Sequence, residues 1–325
     1  MSSNAVVSPR PRIVRRAVHG VLLLDKPLGL SSNDALQKVK RLFRAEKAGH
    51  TGTLDPLATG LLPLTFGAAT KFSQVSLEAD KGYLATIQLG VTTTTADGEG
   101  EVLQRCPVTA DLPAIEAACA AFVGPISQLP PMYSALKHQG RALYELARQG
   151  VTVERTPRQV HIRSLTVMGW DAELAQLQLQ VQCSKGTYVR TLAEDIGQRL
   201  GCGAHLAGLR RTASGPVKLE QAVTLAQIEA LDEEARLGLL ASPDALLAEW
   251  PSVELPDEEA GRFLSGMRRR VAAPDMAQVR VYGVRPRAFL GSGHVKAGEL
   301  IADRLLSPPE IAAMLVQATA RAPVA

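Results

Sequence analysis

The chain has 325 residues, 46% of them hydrophobic and 21% charged, with a formal net charge of +4. These are ordinary values for a globular protein and leave room for one large domain and a smaller one. Cys106, Cys119, Cys183 and Cys202 form no C-x-x-C pair, which argues against a zinc site and a disulfide framework and suits a reducing compartment.

Residues 1–18 hold four arginines and no acid, and read as a basic flexible tail. "GVLLL" then runs into Asp25, Lys26 and Pro27 without a small-residue cleavage site, so the start does not read as a secretion signal; an organelle transit peptide is the alternative. No apolar run approaches the roughly 18 residues needed to span a bilayer. A cytoplasmic protein is expected.

"GVLLLDKP" predicts a buried strand ended by Pro27. "SSNDALQKVKRLFRAEK" predicts an amphipathic helix capped by Ser32 or Asn33, with Leu36, Val39, Leu42 and Phe43 near one face. The loop "GHTGTLDPLATG" leads into an apolar strand, "GLLPLTFG". In "KGYLATIQLGV" alternation places Tyr83, Ala85, Ile87 and Leu89 on one side of a strand. A helix is expected over 111–122, then a basic excursion with a short helix over 137–158.

Strands resume over 159–170 and 175–183. "TYVRTLAEDIGQRLG" predicts a helix ending at Gly201, and "AHLAGLRRTASG" another strand. Helix signals continue to about residue 250. A shift to Pro, Gly and short strands predicts a small all-β module over 251–306, followed by a loosely held tail over 307–325. Strands and helices form no clean βαβ series, so the fold class expected is α+β: a mixed, largely antiparallel sheet over 19–250, flanked by helices, with a small β-rich domain behind it.

The placement of charge says more than its sum. Residues 137–163 carry six Lys or Arg against Glu145 and Glu154, whereas 229–259 carry ten acids and only Arg236. A chain so divided can offer one cationic face to a polyanion; each run taken alone is also what a solvated face looks like.

Familiar cofactor signatures are missing: there is no G-x-x-x-x-G-K-[ST], H-E-x-x-H or G-x-S-x-G. "GSGH" at 291–294 reads as a tight turn, and the six histidines are dispersed. An enzyme built on this chain would work with side chains alone, with no cofactor and no metal. Asp55 then stands out. Pro56 keeps it out of helical geometry, and Gly49, Gly52 and Gly60 allow another backbone to approach. Alone, that pattern is also a common turn device.

Read together, the motifs are more specific. "DKPLGLSSN", "GHTGTLDPLATGLLPLTFGAATKF", "KGYLATIQLGVTTTTADGEG", "CSKGTYVRTLAEDIG" and "GAHLAGLRRTASG" follow one another in the order of a known family. The chain resembles the bacterial tRNA pseudouridine synthase B family over nearly all of residues 19–306. The resemblance implies a cofactor-free isomerase acting on uridine 55 of the tRNA T loop. It would break the N1–C1′ bond, turn the base and rejoin it through C5. It also implies that 251–306 is a PUA-like RNA-binding domain.

Carried over by position, the resemblance makes Asp55 the essential carboxylate. Tyr83 would stack on the uracil and serve as candidate base for the C5 proton, and Arg190 would pair with Asp55. Tyr188 and Leu209 would line the base pocket, His50 would lie against the RNA loop, and Lys26 and Pro27 would brace the active-site loop. Since a stacked base cannot react, the nucleotide must be flipped, and phosphate contacts must offset the unstacking. Residues 137–158 are a candidate clamp on the T stem, and Arg210 and Arg211 candidate phosphate contacts. The partner expected is the T stem-loop of tRNA, met by a monomer with no guide RNA and no membrane. A guide-RNA-dependent relative and a noncatalytic RNA-binding protein or tRNA chaperone are the alternatives.

Overall fold

The computed structural model describes residues 14–134 and 136–319. Its centre is a mixed sheet whose strands run, edge to edge, Val223–Thr224, Gly20–Lys26, Ala58–Phe66, Ala204–Ser214, Lys81–Leu89, Gln176–Cys183, Arg158–Asp171 and Gly124–Gln128. Two of these pairings are parallel, Gly20–Lys26 with Val223–Thr224 and Ala204–Ser214 with Ala58–Phe66. The α+β expectation holds.

Strand Gly20–Lys26 is apolar at successive positions because both its faces are covered. Leu22 and Leu24 pack in the main core with Phe43, Leu62, Leu64 and Ile87, while Val21 and Leu23 pack on the other face with Leu61, Ala69 and Leu246. Strand Lys81–Leu89 keeps the predicted alternation: Tyr83, Ala85, Ile87 and Leu89 are buried and Leu84 is exposed. The first helix, Ser32–Leu42, is capped by Ser31, whose hydroxyl accepts from the Asp34 N–H. Ser32, one of the two expected caps, is buried instead and bonds to the Asp55 loop.

Three further elements differ from the sequence reading. The C-terminal unit is a five-stranded sheet, but it also holds a helix, Asp257–Leu264. Three acids in its first turn suit a helix N-terminus, and Ala260 and Phe263 bury one face. Residues 308–319, inside the expected loose tail, form a helix whose Ile311, Met314 and Leu315 pack on the second core. The expected basic tail lies largely outside the described residues, but Arg16 already pairs with Glu233 at 3.1 Å and Val18 is buried.

The two units share a joint. Phe72, from the turn after strand Ala58–Phe66, sits in the C-terminal core with its ring 5.2 Å from that of Phe289. Lys71 reaches Glu310 at 2.6 Å, and the Gln317 amide accepts from the His19 N–H and donates to the His19 carbonyl.

Candidate active site

The loop carrying Asp55 is braced from below. The Ser32 hydroxyl donates to the Leu54 carbonyl at 3.0 Å and accepts from the Leu54 N–H at 2.7 Å, while the Gly29 N–H donates to the Pro56 carbonyl. The Asp55 carbonyl accepts from Ala58 N–H, closing a turn that starts strand Ala58–Phe66. Lys26 is fully buried beside it and donates to the carbonyls of Pro27 and Leu30. Burial pulls the Lys26 ammonium down to about 8, against the opposing influence of Asp55. Bracing is the role expected of Lys26; its bonds run to the turn whose Gly29 N–H holds the Pro56 carbonyl.

Arg190 arrives from the other side, in the first turn of helix Val189–Arg199. Its guanidinium meets the Asp55 carboxylate at 2.9 Å and the Asp97 carboxylate at 3.3 Å, and donates to the carbonyls of Tyr133 and Thr95. The Arg190 side chain is 7% exposed and that of Asp97 4%, whereas 44% of the Asp55 side chain is open. The acid is thus the one member of the triad that a substrate can reach. Burial nevertheless raises the Asp55 carboxyl above its ordinary range; Arg190 and Lys26 pull down and Asp97 pushes up. The guanidinium orients the acid without winning that contest.

Asp97 carries no assignment from the sequence. It lies in the turn after Val91–Thr93, where its Oδ1 accepts from the Thr95 hydroxyl and the Glu99 N–H while Oδ2 takes Arg190. The visible signal is a lone acid closing the run "TTTTAD".

Tyr83 is buried on strand Lys81–Leu89, directly opposite Arg211 on one neighbouring strand and Val181 on the other. Burial pushes its phenol up, and the Arg211 guanidinium opposes that. Tyr188 is the N-cap residue of the Arg190 helix; its backbone N–H and C=O are both held by the side chain of the buried Gln128. Leu209 is half-buried and in register with Ala58 and Ala85. His50 lies on strand Ala48–His50 with its Nδ1 buried and unpartnered, and burial lowers its pKa.

Of the two expected phosphate contacts, Arg211 is corrected and Arg210 is found paired within the protein. Arg211 is 1% exposed, with its Nε donating to the Leu61 carbonyl at 2.6 Å, so a phosphate in solvent does not reach it. Arg210, next in the strand and therefore on the opposite face, binds Asp25 through both terminal nitrogens at 2.7 and 3.1 Å. Its side chain is 40% exposed, but its charge is matched within the protein. The excursion over 137–158 is a two-stranded ribbon, Lys137–His138 with Arg141–Ala142, followed by helix Leu143–Ala147. Leu143 and Leu146 are buried beneath it while Lys137, His138 and Arg141 stay open.

One strand separates the acid from the phenol. Ala58–Phe66 follows Asp55, Ala204–Ser214 lies beside it, and Lys81–Leu89 with Tyr83 comes next. The strands on the acid side are drawn close at Gly60, whose φ is +96° and where a Cβ would overlap the Arg211 backbone. Asp55 and Arg190 are in contact, and Tyr83, on the strand beyond the intervening one, lies near enough for the charge of Asp55 to act on its phenol. Among the described residues no cluster of His, Cys, Asp and Glu could hold a metal ion, and no helix is long and apolar enough to cross a membrane.

Comparison with known proteins points one way. Residues 40–189 match the N-terminal domain of the TruB family pseudouridylate synthases, and 190–247 the C-terminal domain of tRNA pseudouridylate synthase B. Residues 251–306 match the C-terminal unit of pseudouridine synthase II TruB. A tRNA pseudouridine synthase B from Cupriavidus metallidurans is 57% identical over 316 residues, covering 94% of this chain and 99% of that relative. One from Burkholderia pseudomallei is 57% identical over 307 residues, covering 92% and 98%. Among solved structures, that of a Cbf5-Nop10-Gar1 complex superposes with a TM-score of 0.68 at 24% identity, over 90% of this chain and 86% of the other, a likeness of fold.

Proposed function

The chain belongs to the TruB family of pseudouridylate synthases, and on that footing we propose that it isomerises uridine 55 in the T loop of tRNA to pseudouridine, with Asp55 as the essential acid. The observation that carries the residue assignment is the Asp55–Arg190 pair: a half-open carboxylate held at 2.9 Å by a guanidinium that is itself buried against Asp97. Pre-set orientation of this kind is what an acid working on a sugar carbon needs.

In this reading the uridine is swung out of the loop, and its ribose C1′ is presented to Asp55. The carboxylate either attacks C1′, displacing N1, or removes the 2′ proton to give a glycal. The freed uracil turns, C5 bonds to C1′, and the C5 proton leaves to the Tyr83 oxygen. His50 faces the RNA loop, and Tyr188 and Leu209 flank the base. No electrons enter or leave overall, in keeping with side chains as the only reagents. Residues 137–158 clamp the T stem, and the unit over 251–306, as a PUA-like domain, extends the footprint. The protein works in the cytoplasm, as a monomer and without a guide RNA.

The test uses unmodified tRNA transcript, no guide and no added metal, with pseudouridine mapped by carbodiimide modification and primer extension. A T-loop stop from the wild type, absent with Asp55→Asn although that variant still binds tRNA, is the expected result. Product only after addition of a guide RNA, or tight binding with no product from the wild type, overturns the proposal.

A further inference from the structure

Arg211 is among the largest fully buried side chains of the protein, and the phosphate role read from the sequence does not fit its place. It stands on strand Ala204–Ser214, between the strand that follows Asp55 and the strand of Tyr83, in register with Gly60 on one side and Tyr83 on the other. Across an antiparallel pair, directly opposite residues point to the same face, so the guanidinium lies against the phenol. It also touches the Asp55 loop: a Cβ at Gly52 would stand 3.4 Å from Nη1.

What surrounds this cation is unusual for a structural arginine. Among the described residues no carboxylate makes an ion pair with it. Nε is bonded to the Leu61 carbonyl, but Nη2 is buried with no partner. Lys26, Lys81 and His50 are close enough to feel its charge, and it disfavours the charged form of each. Facing Tyr83 itself are Arg211, Cys183 from strand Gln176–Cys183, and Asp55 from its loop. A fold that buries a cation without an acid incurs a desolvation cost that pairing would have relieved. An orphaned donor beside it adds to that cost. Both observations make sense if negative charge arises next to Arg211 during the reaction.

We propose that Arg211 is a positioning residue for catalysis, fixing the Tyr83 phenol oxygen and supplying the positive charge that lets this oxygen act as a phenolate. The inference rests on the reading of Tyr83 as acceptor of the C5 proton. Once C5 has bonded to C1′, C5 carries both that bond and its hydrogen, and the ring holds an N1=C6 double bond. The phenolate oxygen takes the C5 proton, the C–H electron pair forms C5=C6, and N1 takes a proton from water as N1=C6 opens. The phenol returns its proton to water before the next turnover. Arg211 forms and breaks no bond in this sequence. It lessens the cost of forming the phenolate in a place where burial still holds the Tyr83 phenol above its ordinary range.

The experiment measures Tyr83 ionisation directly. Ultraviolet difference titration of the wild type against Tyr83→Phe isolates one tyrosine, and the same pair is made in an Arg211→Met background. Tyr83 is expected to titrate at least about one pH unit higher without the guanidinium. In single-turnover reactions on unmodified tRNA, the rising limb of the pH–rate profile should move by the same amount. The rate at pH 8 should fall about tenfold, with tRNA affinity nearly unchanged. Arg211→Lys keeps a charge, so its titration and pH limb should return toward the wild type; a folded Lys variant displaced as far as Met would overturn the inference. So would a folded Met variant with an unmoved midpoint and limb. Full activity of Tyr83→Phe would instead remove the reading of Tyr83 on which this inference stands.

Discussion

At one end of the site Arg190 lies between two carboxylates, one sealed in the interior and one open to solvent. At the other end Arg211 is buried more deeply, with a carbonyl and a phenol for company and, among the described residues, no acid paired with it. The first is an ion-paired hinge of loop, helix and turn; the second is a bare charge inside a sheet. Pairing makes Arg190 a scaffold: its bonds tie Asp55, Tyr133 and the Asp97 turn together. Lack of pairing makes Arg211 a source of field. Which kind of contribution a buried cation makes is therefore set by the groups around it more than by its depth.

The sharpest way to break this contrast is Arg190→Met. It strands the Asp97 carboxylate in the interior, and urea unfolding should show a loss of about 3–5 kcal/mol. Turnover should fall by at least about a hundredfold as Asp55 loses its orientation. Ser32→Ala comes next. It leaves both the Leu54 N–H and C=O short of their partner and should lower unfolding free energy by about 1–3 kcal/mol.

The remaining tests read pH. The Lys26 ammonium is drawn down to about 8 from its ordinary value of 10.5. Below pH 8 both folded and unfolded chains hold the proton, and the folded form bears the full burden of an enclosed ammonium. Between 8 and 10.5 the folded form releases it first, so this group makes stability climb with pH across that window. Lys26→Met should flatten the climb in thermal melts; Lys81, also near 8, supplies the rest. Asp55 has the opposite sign. Its carboxyl is raised, so stability declines as pH rises through that value, and the charged acid is a net burden at neutrality. Asp55→Asn should therefore melt slightly higher than wild type at pH 7 while turning over nothing.

Much of this architecture is legible in the sequence. Alternation in "KGYLATIQL" puts Tyr83 inside and Leu84 outside, as found, because a half-buried strand has a strict period of two. The same period separates Arg210 from Arg211, and it was the signal that one of them faces inward while its neighbour meets Asp25. The pairing of Arg190 with Asp97, unlike its pairing with Asp55, was not readable. Arg190 and Asp97 are 93 residues apart in the chain, and nothing local to either marks the other. The helix at Pro308–Thr319 did have a local signature: Ser307 and Glu310 form a reciprocal cap, with proline at the first helical position. Its small, weakly patterned residues hid it behind the look of a tail.

That last helix ties the two extremities of the described chain together through Gln317 and His19. With Lys71–Glu310 and the Phe72–Phe289 contact, it secures the smaller sheet to the larger at three separate points. These contacts place the far sheet at one spacing from Asp55, which a substrate long enough to bridge the two would have to match.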